Sequence, residues 1–105
     1  MAKKKDIRIV KKFRSRLSRH FPVKEVIFFG SRARGESKKW SDFDIIVVSD
    51  EFANKKSFER GIGFYDFWEE DYPVDFLCYT QEEFNKLKKR ISIVREAIST
   101  GIIIK

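Results

Sequence analysis

The sequence predicts a small α/β (α+β) protein in which helices pack on a mixed β-sheet. Two unbroken apolar runs, VIFF at 26–29 and IIVV at 45–48, have the length and continuity of central strands covered on both faces. A third stretch, VDFLCY at 74–79, shares their β-branched and aromatic character. Around these runs, apolar residues recur at intervals of three and four, the period of amphipathic helices. The resulting order is helix, strand, strand, helix, strand, helix, and a sheet with helices on its face buries those stripes.

Taken in order, Val10, Phe13, Leu17 and Phe21 recur among lysines and arginines, so 6–20 reads as a surface helix that stops near Pro22. The apolar runs at 26–29 and 45–48 follow as strands. Segment 54–70 is helix-compatible but holds Gly61 and Gly63. Each glycine costs about 1 kcal/mol in a helix interior, so the expectation is a helix that ends or bends there. After the strand at 74–79, Thr80 and Glu83 form the pattern of a capping box, each side chain satisfying the other residue's backbone N–H. Phe84, Leu87, Ile91, Val94 and Ile98 then predict one last helix, with Gly101 as its stop and IIIK as a short terminal strand.

A chain of 105 residues, 42% apolar and 15% aromatic, is expected to form one domain spanning 1–105. The lone cysteine, Cys78, excludes an internal disulfide and suits a reducing compartment. The start MAKKK has no apolar segment behind it, and no run approaches the ~18 residues of a membrane span. A cytoplasmic protein without a membrane partner is therefore expected. The net charge of +7 is unevenly spread: residues 1–40 hold 14 Lys/Arg and 3 Asp/Glu, residues 41–83 hold 3 and 12, and the remainder 6 and 1. Such segregation fits phosphates or a charged protein partner, but no recognition helix or RNA-binding motif accompanies it. His20 is the only histidine, which excludes a histidine-rich zinc site, and Ser31 lacks the Gly-x-Ser-x-Gly context of a hydrolase nucleophile. Phe64, Tyr65, Phe67, Trp68 and Tyr72 exceed the needs of one helix face and are expected to divide between core and a protein contact.

The chemistry concentrates in FFGSRARGESKKWSDFDIIVV. Asp42 and Asp44 stand two apart at the start of a strand and so project to one face. Two like charges held so close are costly without a cation between them, and Mg²⁺ prefers such hard oxygen ligands. Gly30 and Ser31 form a turn leaving a buried strand, where free N–H groups and a missing side chain suit a polyphosphate. Arg32 and Arg34 offer guanidinium groups to phosphate, or one of them a structural ion pair. Asp75, alone inside the third strand, asks for the same cation.

These residues resemble the signature of the polymerase-beta-type nucleotidyltransferases: a Gly-Ser turn, Ala-Arg-Gly, then Ser-Asp-x-Asp leading a hydrophobic strand. VDFLCYTQEEF and REAISTGIIIK extend the resemblance to the minimal nucleotidyltransferase branch. It implies the nucleotidyltransferase fold, with Gly30, Ser31, Arg32, Arg34 and Ser41 binding nucleotide and Asp42, Asp44 and Asp75 catalytic and metal-binding. It also implies two Mg²⁺ ions, ATP as nucleotide substrate, and transfer of AMP to a hydroxyl of a partner protein. Within this branch the implied partner is a HEPN-type toxin silenced by its antitoxin, in a hetero-oligomer or with a homo-oligomer. The alternatives are an antitoxin that neutralises by binding alone, a small-molecule nucleotidyltransferase, or a nucleic-acid-binding protein.

Overall fold

The computed structural model describes all 105 residues. Helix α1 (Lys4–Ser18) turns Ile9, Val10, Phe13 and Leu17 inward and most of its basic side chains outward, as its stripe requires. Strands β1 (Glu25–Phe29), β2 (Phe43–Val48), β3 (Val74–Tyr79) and β4 (Ile102–Ile104) form one sheet in the order β3-β2-β1-β4. Strand β1 is antiparallel to β2 and β4, whereas β2 and β3 run parallel, so the sheet is mixed. The two continuous apolar runs are its two central strands. A short helix, α2 (Gly30–Arg34), leaves β1 directly. Helices α3 (Gln81–Leu87) and α4 (Ile93–Thr100) complete the chain before β4.

Alternation along the strands splits the core in two. Val26, Phe28, Phe43, Ile45, Val47 and Val74 face α1 and pack with Phe13, Phe52, Phe64 and Trp68. Ile27, Ile46 and Val48 face the other way and pack with Phe84, Val94 and Ala97 from α3 and α4. By strand register, Asp44 and Asp75 belong to this second face.

Two expected helices are corrected. Segment 54–70 contains only the 3-10 turns Ser57–Glu59 and Ile62–Phe67. Gly61 between them has φ 77°, a left-handed conformation that interrupts a right-handed helix. The aromatic cluster of this segment goes largely into the core: Phe64 and Trp68 are buried, and Trp68 meets Phe43 edge-on at 5.0 Å. Each such pair adds roughly 0.5–1.5 kcal/mol beyond area burial. Tyr65, 54% exposed, is the exception. The final helix is two helices, because Ser92 donates to the Leu87 carbonyl at 2.7 Å and accepts from Arg95 N at 3.1 Å. It thereby closes α3 and caps α4, leaving Ile91 outside the stripe and 95% exposed. The capping box at Thr80 and Glu83 forms as expected, with reciprocal bonds of 2.9 and 3.2 Å. No helix is long and apolar enough to cross a membrane.

Candidate active site

Asp42 immediately precedes β2 and Asp44 is its second residue, so both carboxylates leave the same face. The parallel register sets Asp75 beside Asp44 on one side, and the antiparallel register sets Phe29 beside it on the other. Phe29 is followed by Gly30, where β1 turns into α2 with φ 82°. A Cβ on Gly30 would lie 2.2 Å from Asp44 Oδ2, so only glycine lets the turn abut this carboxylate. Asp44 is half-buried, while Asp42 and Asp75 are exposed. None of the three forms an ion pair. Burial first, then the charges of Asp75 and Asp42, hold the Asp44 carboxyl above the ordinary carboxylate range, with Arg34 opposing them.

This donor set suits a hard cation. It consists of acceptor-only oxygens without a cationic partner, beside a turn that glycine keeps clear. The carboxylates do not close into a three-ligand cluster. Mg²⁺ does not demand one, since it is usually held by one or two carboxylates while waters and substrate phosphates complete its shell.

The two arginines separate cleanly. Arg32, expected on nucleotide, is 4% exposed and engaged on all three nitrogens. Its Nη1 lies 3.3 Å from Asp6 Oδ2, its Nε donates to the Ser41 carbonyl at 2.6 Å, and its Nη2 donates to the Lys39 carbonyl at 2.9 Å. The rings of Phe43 and Tyr72 lie 4.4 and 4.5 Å from the guanidinium carbon. Arg32 is thus a brace for the loop that delivers Asp42 and forms the structural ion pair that the sequence left open between the two arginines. Arg34 is exposed, donates to Glu36 Oε1 at 2.8 Å, and is the cation whose charge reaches Asp44. Ser41 also serves the loop, its hydroxyl accepting from Lys38 N at 2.8 Å. Ser31 is half-buried at the start of α2.

Sequence reasoning missed Asp6 and Tyr72 as members of the brace. Asp6 is the only acid in an otherwise basic first helix, and that isolation was the available signal. Two cavities border the elements that carry the carboxylates, and neither is lined by Asp42, Asp44 or Asp75 themselves. A cleft of about 180 Å³ beside the turn is lined by Phe29, Gly30, Arg34, Glu96 and Thr100, among others. The larger cavity, about 430 Å³, lies instead along the outer edge of β3.

Residues 10–99 match the nucleotidyltransferase domain family, and the chain belongs to that family. Over 39 residues it is 46% identical to a Methanocaldococcus jannaschii protein named "Putative protein adenylyltransferase MJ1215". That match covers 37% of this chain and 45% of the relative, less than half the relative's length. The fold is similar to the crystal structure of a "putative nucleotidyltransferase" from Sulfolobus solfataricus, with a TM-score of 0.65 and 24% identity over 92% of this chain and 77% of the other. The likeness extends to the mixed α+β architecture, in agreement with the fold class expected from sequence.

Proposed function

We propose that this nucleotidyltransferase moves AMP from ATP to a hydroxyl of a partner protein. The observation that carries the reading is the set of three carboxylates without ion-pair partners, Asp42, Asp44 and Asp75, on one sheet face, with Asp44 against Gly30. The partial similarity to a protein named as an adenylyltransferase supports a protein acceptor.

Gly30 leaves room for the triphosphate next to Asp44, with Ser31 offering its hydroxyl and Arg34 its guanidinium to the phosphates. Asp42 and Asp44 would hold the nucleotide's Mg²⁺, and Asp75 would serve a second ion. Bound there, the metal supplies charge neutralisation and stabilises the entering and leaving oxygens of an in-line displacement. The acceptor oxygen bonds to the α-phosphorus as the bond to the α,β-bridging oxygen breaks and pyrophosphate departs. Asp75, exposed at the start of β3, takes the acceptor's proton and passes it to water. Arg32 acts one step removed, holding the Lys39 and Ser41 carbonyls so that Asp42 keeps its place.

The partner of this reading is a HEPN-type toxin that the transfer silences. Co-expression with the product of the adjacent gene, followed by intact mass spectrometry of that product, tests it. A mass gain equal to AMP that disappears in Asp42→Asn supports the transfer. A tight complex without a mass gain in the unaltered chain overturns it in favour of neutralisation by binding alone.

A further inference from the structure

We propose that the outer edge of β3 is the acceptor's docking site, taking an extended acidic polypeptide segment as an added strand whose hydroxyl residue lies beside Asp75. This inference deepens the proposed transfer to a protein hydroxyl and rests on it.

Strand β3 is an edge strand with β2 as its sole neighbour. The ladder bonds from Phe43 N to the Pro73 carbonyl and from Ser49 N to the Tyr79 carbonyl fix which β3 groups face inward. In a parallel ladder the alternate residues turn their N–H and C=O outward, here Phe76 and Cys78. Of these, the Cys78 carbonyl accepts from Arg60 Nη1 at 3.2 Å. The Phe76 pair has no partner in the chain. Open edges of this kind receive extended peptides by main-chain hydrogen bonding.

The edge opens into the 430 Å³ groove, whose floor includes Leu77, Tyr79 and Leu87. Its charged lining is Arg60, Lys86 and Arg90 against Glu83; the Arg60 side chain is 8% exposed and neutralised by Glu83, so Lys86 and Arg90 make the rim positive. Glu83 is engaged by Arg60 at 2.6 Å and Lys86 by Glu82 at 3.1 Å, while Arg90 makes no ion pair. A positive rim selects an acidic occupant. An apolar floor with free backbone groups favours a polypeptide over a nucleic acid, whose phosphates need cations along their whole track. Leu77 and Tyr79 share the face of Asp75, and strand residues two apart are separated by ~6.5 Å. A strand paired to the Phe76 N–H and C=O and to the Cys78 N–H therefore reaches Asp75 within about two residues of the groove.

The test uses the full ¹⁵N-labelled chain and three probes. The first is a synthetic ten-residue peptide alternating Val and Glu around one Tyr, the second its counterpart with Lys for Glu, and the third a single-stranded RNA of ten nucleotides. The acidic peptide is expected to shift the Phe76 and Cys78 amides and to bind roughly tenfold or more tightly than the basic one. The double variant Lys86→Glu with Arg90→Glu is expected to invert that order. Unmoved Phe76 and Cys78 amides, equal affinities for the two peptides, or shifts with RNA alone would overturn the docking site. Adding ATP and Mg²⁺ and weighing the acidic peptide separates the two proposals. An AMP gain that requires Asp42 but ignores the charge reversal overturns the groove and leaves transfer standing. Groove shifts without AMP gain overturn transfer to this peptide and leave the docking surface.

Discussion

Asp6 and Asp44 are both carboxylates withdrawn from water, on either side of the loop that joins α2 to β2, and the chain treats them in opposite ways. Asp6 is 2% exposed and meets Arg32, which is itself boxed by two aromatic rings and two carbonyls. Asp44 is half-buried with Asp75 and Asp42 as its charged neighbours, Arg34 opposing them from the edge. A paired buried charge is a structural joint. An unpaired one is a standing cost, retained where a ligand is to complete it. The difference separates the part of the signature that builds the loop from the part available for chemistry.

The largest effect is expected at the joint. Arg32→Ala strands Asp6 without a counter-charge and should lower stability by roughly 3–5 kcal/mol in urea unfolding. Replacing both partners, Asp6→Leu with Arg32→Met, should recover part of that loss, because no isolated charge remains buried. Full stability in Arg32→Ala would erase the contrast between the two acids. Asp75→Asn is the corresponding change at the open site. It should leave the urea midpoint close to that of the unaltered chain while slowing AMP transfer by about 10²–10⁴-fold, the range for loss of a positioned base.

Much of this architecture was legible beforehand, and for identifiable reasons. The β1, β2 and β3 runs and the stripe of α1 depend on local period, and the Thr80 capping box on a four-residue pattern. The pairing of Asp44 with Asp75 depends on strand order, and that of Asp6 with Arg32 on side chains 26 residues apart. Neither leaves a periodic trace in the chain. The helix expected over 54–70 failed because a left-handed Gly61 and the demand of the core for Phe64 and Trp68 outweighed helix-compatible composition. The single last helix failed because Ser92 competes for backbone groups at the point where the apolar stripe runs on.

Gly30→Ala sharpens the contrast at intermediate size. Its methyl would meet Asp44 Oδ2, and a φ of 82° is strained for alanine, so a loss of ~1–3 kcal/mol is expected together with weakened nucleotide binding. Unchanged calorimetric affinity for ATP would separate the turn from the phosphate site.

The smallest effects are in pH dependence, and two carboxylates should show opposite signs. Asp44 has a raised pKa, so the folded chain holds its proton more tightly than the unfolded chain does. Its charge weakens the metal-free fold above the folded pKa, and the penalty fades as pH falls through that value toward the ordinary 3.8. Metal-free Asp44→Asn should therefore be the more stable protein at neutral pH, with the gap closing toward pH 4. Glu83 is lowered, first by its hydrogen bond from Arg60, so its contribution is present above the ordinary 4.5 and is lost as pH falls through the folded value. Glu83→Gln should cost stability at neutral pH and progressively less in acid. Urea midpoints across that range read both, and equal signs would contradict the contrast.

The central claim is that the unpaired carboxylates wait for a metal-bound nucleotide, and calorimetric titration with ATP in the presence and absence of Mg²⁺ tests it most directly. The account predicts Mg²⁺-dependent ATP binding that is lost in Asp44→Asn and largely kept in Asp75→Asn. ATP binding of equal strength in Asp44→Asn and the unaltered chain, or independent of Mg²⁺ in both, would contradict it.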